Sequence, residues 1–182
     1  MSRQFWTECL AWATADGTAI SATTTETIIF PNVTIPANFM QDGRALRLTA
    51  YGRHTSAGQT VTLRLRWGGV AGTVITASGA NVAPTATAAL WEMEAVIQTR
   101  SNGSTGTVFS MGRMIWTDDV VSTAGSATGA PIVGLMGSAG LTTPAAVTVD
   151  LTADTALSIT GTFGTAASNA MTGHIYIIEA LN

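Results

Sequence analysis

The sequence predicts an all-β chain, two antiparallel sheets packed as a β-sandwich, on three observations. Threonine, alanine, glycine and serine dominate its 182 residues and lysine is absent, so the residues that usually populate exposed helix faces are scarce. From about Thr25 the chain breaks into short runs separated by Gly, Pro, Asn and Asp, the spacing of a sandwich or barrel. Thr60–Trp67 alternates strictly before Gly68-Gly69, placing Val61, Leu63, Leu65 and Trp67 on one sheet face and Thr62, Arg64 and Arg66 on the other. A helix would scatter both sets around its circumference.

Taken in order, residues 1–24 stand apart as an arm. Phe5, Trp6, Leu10 and Trp12 crowd before an Asp16-Gly17 turn, with Phe5, Glu8, Cys9 and Trp12 at helical spacing. Such an arm either docks on a neighbouring molecule or covers an open edge of its own sandwich. The sandwich itself is assigned to residues 25–182. Its strands begin with Thr25–Phe30 and Ala45–Arg53, the latter turning Leu46 and Leu48 inward, followed by Thr60–Trp67 and Val70–Thr76. Leu90–Arg100 turns Trp91, Met93, Ala95 and Ile97 inward and Glu92, Glu94 and Arg100 outward. Thr107–Trp116, Ala146–Leu151, Ala156–Phe163 and Gly173–Ala180 complete about nine strands. Their wide separation along the chain suits Greek-key or jelly-roll wiring better than a meander.

One stretch, Val121–Ala145, breaks the pattern and is read as an irregular insertion. It is rich in Ala, Gly, Ser and Thr, and no charged residue occurs between Asp119 and Asp150. Long connections of this kind tend to be functional or interface-forming. Ile132, Val133, Leu135 and Met136 are therefore candidate intersubunit contacts, the alternative being one more hairpin of the sheet.

Charge narrows the partners. Charged residues make up 10% of the chain, against a usual share of about 25%. Net charge is −3, and all eight basic residues are arginines scattered from Arg3 to Arg113, which argues against nucleic acid as a partner. No run of 18 apolar residues is present to span a membrane as a helix, and Glu8 interrupts the apolar N-terminus where a signal peptide would be continuous. A surface with so little charge is expected to be covered, by copies of itself or by another protein.

Little in the sequence points to catalysis, a metal or a cofactor. His54 and His174 lie far apart, and Cys9 is alone, reading as a small apolar side chain. Phosphate-loop and amine chemistry lack their lysine. Glu92 and Glu94 project from one strand face about 7 Å apart, a separation at which carboxylates can hydrolyse glycosides. The favoured reading is structural: Arg64 and Arg66, on the polar face of another strand, are expected opposite Glu92 and Glu94 as a cross-strand charge ladder. Asp118, Asp119, Asp150 and Asp154 read as turn formers, and Trp67 and Trp91 as core.

The runs IPANFM (Ile35–Met40), GRALRLTAYG (Gly43–Gly52) and TVTLRLRWGG (Thr60–Gly69), then Leu90–Met114 and the closing HIYIIEAL, resemble structural domains of tailed bacteriophages and prophages. The resemblance covers about Thr25 to Leu181; the arm and Val121–Ala145 have no counterpart in it. It implies a jelly-roll β-sandwich, often trimeric, serving as a capsid decoration (cement) protein, a head fibre or part of a tail fibre. The expected partners are then further copies of the chain, as a homotrimer, and the major capsid protein. The expected place is the outer capsid surface of the virion, after synthesis in the host cytoplasm. Phe5, Trp6 and Trp12 would be the capsid anchors, so that removing residues 1–24 leaves a folded sandwich that no longer binds. The competing expectation is a fibre module that binds host-surface glycans.

Overall fold

The computed structural model describes residues 7–117, 131–140 and 143–181. Fourteen strands run through them: β1 (Thr7–Trp12), β2 (Ile20–Ser21), β3 (Thr27–Ile28), β4 (Val33–Ile35), β5 (Ala45–Ser56), β6 (Thr60–Trp67) and β7 (Thr73–Ser78). The second half contributes β8 (Asn81–Val82), β9 (Ala86–Ser101), β10 (Gly106–Trp116), β11 (Ile132–Ser138), β12 (Val147–Val149), β13 (Thr155–Phe163) and β14 (Ala170–Leu181). No helix occurs among the described residues.

Every pairing is antiparallel, and the strands follow one path, β1-β14-β5-β9-β10-β11-β7-β6-β13-β3, with β2, β4, β8 and β12 as short side pairings. The path doubles over on itself to give a sandwich-like core. Phe30, just after β3, packs edge-on against Tyr176 of β14 with ring centroids 5.0 Å apart, and lies 6.3 Å from Trp91 of β9. Thr76 of β7 hydrogen-bonds Ser110 of β10 across the same interior. The bend comes at β11, whose first residues pair with Gly112–Trp116 and whose last residues pair with Thr76–Ser78.

The alternation read from sequence places the core. Val61, Leu63, Leu65 and Trp67 are buried, as are Leu46 and Leu48, and Trp91, Met93, Ala95 and Ile97. Trp116 and Tyr176 are buried with them. At the end of β6, Gly68 and Gly69 both hold positive φ, 103° and 80°, which the tight turn into β7 requires and which side-chain-bearing residues resist.

Four expectations need correction. There are more than nine strands, the extra ones being mostly two- or three-residue pairings along the edges. The arm is not helical over its described residues, 7–24: β1 and β2 both pair with β14 and cover what would otherwise be its open edge, and Leu10, Ala11 and Ala13 pack on the core. The 121–145 insertion contains a regular strand, β11, while residues 118–130 and 141–142 lie outside the described residues. Finally, the charge ladder does not form. β6 pairs with β13 and β7, and β9 with β5 and β10, so Arg64 and Arg66 never meet Glu92 and Glu94.

Both sets of charges find other partners. Arg66 grips Glu26 with two hydrogen bonds, Nε to Oε1 at 2.6 Å and Nη2 to Oε2 at 2.7 Å, while Arg64 Nη1 reaches Oε2 at 3.2 Å. Thr160 Oγ1 donates to Oε1 at 2.5 Å. Burial alone would push the Glu26 carboxyl up, but the bonds from Arg66 and Thr160 and the two guanidinium charges outweigh it and hold the group below its ordinary value. The cluster fastens the segment before β3 onto β13 and β6.

Candidate interaction face

The feature of this fold that bears on function is the outward face of β1, β14, β5, β9, β10 and β11. Direct cross-strand partners share a face, so the register defines it. One row runs Trp12, Ile177, Thr49, Glu94, Arg113, Leu135, and the next runs Ile175, Tyr51, Glu92, Ile115, Val133. Val96 and Met111 form part of a third. Large apolar side chains thus stand exposed at nearly every strand, led by Leu135 at 79% and Trp12 at 59%.

Most charges on this face have partners, and Arg100, outward on β9, lies over the Phe109 ring. Arg113 lies between Glu94 and Glu92, Nη2 to carboxylate oxygen at 3.1 and 3.9 Å, and Arg47 holds Glu179 at 2.7 Å. At the rim, Arg53 Nε donates to His174 Nε2 at 3.0 Å, which leaves the ring proton on Nδ1 to be donated to Asp16 at 2.7 Å. Asp16 belongs to the turn after β1, so this chain of bonds also ties the arm to β14.

Within the face is an apolar cleft of about 360 Å³ lined by Tyr51, Leu90, Ile115, Ile175 and the edge of Trp91, with Glu92 and His174 at its margin. Gly52 makes the room for its floor. The Trp91 indole crosses beneath to donate to Thr172 O at 3.3 Å, and a Cβ at position 52 would run into both. A shallower groove of about 380 Å³ lies beside it between Val96, Met111 and Leu135.

The sequence-derived candidates divide clearly. Trp12, Val133 and Leu135, proposed on separate grounds as anchor and as intersubunit contact, lie on one face, at its two ends. Ile132 is exposed at the start of β11. Met136 is not available for contact: it lies opposite Gly112, points inward and is 1% exposed. Phe5 and Trp6 lie outside the described residues, as do Asp118 and Asp119. Asp150 and Asp154 serve turns, accepting bonds from Thr152 N and Ala37 N respectively. No group of three or more potential metal ligands gathers among the described residues.

Tyr51, Met111, Ile175 and Ile177 were missed. For Ile175 and Ile177 the signal was present in Ile175-Tyr176-Ile177-Ile178, an unbroken apolar run that marks a strand covered on both faces rather than one. In comparison with known proteins, the chain matches no family model, no curated protein and no solved structure.

Proposed function

We propose that the chain is a non-enzymatic virion structural protein, a decoration (cement) protein that binds junctions of a phage capsid shell from outside and works as a homotrimer. Jelly-roll wiring is supported by the pairing order. β1-β14-β5-β9 form one group of four and β3-β13-β6-β7 another, and the chain passes between the groups at nearly every step, as two wrapped Greek keys require. β10 to β12 then extend the barrel-like edge after β9.

The observation that carries the functional reading is the broad apolar face on which Arg47 and Arg113 are held by glutamates, which favours burial against protein over exposure to water. Glu92 and Glu94, the closest approach to a glycosidase pair, are engaged by Arg113. A cement protein needs no chemistry; it adds binding free energy to the assembled shell and so opposes its rupture. The test is to add the purified protein to capsids that lack it and follow their heat-induced rupture. A higher rupture temperature with stoichiometric occupancy is expected. No occupancy, together with binding of the isolated protein to host-surface glycans, would replace this reading with the fibre module.

A further inference from the structure

We propose that the face formed by β1, β14, β5, β9, β10 and β11 is a self-association surface whose occupant is a second copy of this chain. The inference rests on the reading of that face as a buried contact and names its partner. Size comes first. Six strands spaced about 4.8 Å apart span about 24 Å, and the nine residues Ala45–Arg53 extend about 30 Å, so the face offers roughly 700 Å². That is close to the roughly 800 Å² per partner of a stable protein interface.

Charge then selects the kind of partner. An anionic polymer or lipid surface needs a patch of one sign, whereas here Arg47 and Arg113 are bound to Glu179, Glu94 and Glu92, Arg53 bonds His174 and Arg100 lies over the Phe109 ring, so four arginines and three glutamates are interspersed. A face whose charges are of mixed sign and mostly paired can meet another such face at lower cost than one bearing a single sign.

Shape points to a copy in particular. Leu135 is a protruding apolar knob, and the Tyr51, Leu90, Ile115, Ile175 cleft is an apolar hole on the same surface. A surface carrying both knob and hole supplies its own complement, which is the condition for copies to close on one another.

The test is sedimentation of the full chain near 20 µM, a concentration within the range at which interfaces of this size hold, for wild type, Leu135→Glu and Ile175→Glu. Both substituted side chains are exposed, so the variants should keep the wild-type circular dichroism and melting temperature; Ile175→Glu serves if Leu135→Glu does not fold. Wild type should sediment as a dimer or trimer. Each variant should dissociate with a Kd raised roughly 30-fold or more, while Thr73→Glu, on β7 in the other half of the sandwich, should leave the mass unchanged. A monomeric wild type, or folded variants that keep the wild-type mass, would overturn the proposal. Failure of the cement reading would register separately, as a protein that self-associates yet leaves capsids unoccupied.

Discussion

Two ionisable side chains, the buried His54 and the half-buried Glu26, tie the stability of this molecule to pH. His54 is 1% exposed; its Nε2 donates to Thr117 O at 2.9 Å and its ring stands edge-on to Trp116, with centroids 4.9 Å apart. Burial disfavours the imidazolium, which the bond to Thr117 only partly offsets, so the folded pKa lies below the ordinary 6.5. Above 6.5 both folded and unfolded chains carry a neutral imidazole and stability is complete. As pH falls below that value the unfolded chain takes up the proton first, and stability is lost until the folded pKa is reached. Glu26 acts the same way lower down: its folded pKa is held below 4.5, so its contribution is present above 4.5 and is lost as pH falls through the folded value. Thermal melts should therefore be flat above neutrality and decline in two stages on acidification. His54→Phe should remove the upper stage and leave the lower; an upper stage that survives the substitution would place its origin elsewhere.

At the scale of elements, the arm decides more about the sandwich than its sequence promised. β1 and β2 satisfy the outer edge of β14, Ile20 is fully buried, and Asp16 holds His174. Deleting residues 1–21 bares a long apolar strand edge and removes the buried Ile20, whose burial contributes about 1.5–3 kcal/mol. Urea denaturation of the deletion should show a loss of at least that size together with aggregation; unchanged stability would mean the arm is only an attachment. Edge covering was one of the two roles the sequence left open for the arm, and the reason it could not choose is physical. Alternation told which face of Thr60–Trp67 or Leu90–Arg100 is buried, and was right for both, but period two carries no information about which strand lies alongside. Hence Arg64 and Arg66 were matched to the wrong glutamates. Strands of two or three residues, such as Thr27–Ile28 and Asn81–Val82, are too short to show a period at all. β11 was hidden by composition: Gly134 and Gly137 interrupt its apolar residues, and of the contacts expected there Ile132, Val133 and Leu135 are exposed while Met136 is buried.

For the whole molecule, the last strand is the one on which the most depends. β14 lies between β1 and β5, receives β2 as well, and sends Met171, Tyr176, Ile178 and Ala180 into the core. Phe30, from the opposite half of the sandwich, packs directly on Tyr176. Three of those four side chains are large, and burying each contributes about 1.5–3 kcal/mol, for a total of roughly 5–9 kcal/mol. The net stability of a domain is only about 5–15 kcal/mol, so the loss of β14 is comparable to the whole. The consequence also follows from topology: β5, the neighbour of β14, is made some 115 residues earlier, so half of the sandwich stays incomplete until the end of the chain is available. Truncation after Asn169 should abolish the cooperative thermal transition and leave an aggregating chain, whereas the arm deletion should weaken that transition without removing it. A truncated protein that still melts cooperatively would show that β5 and β9 hold together without β14, and would contradict the central place given to it.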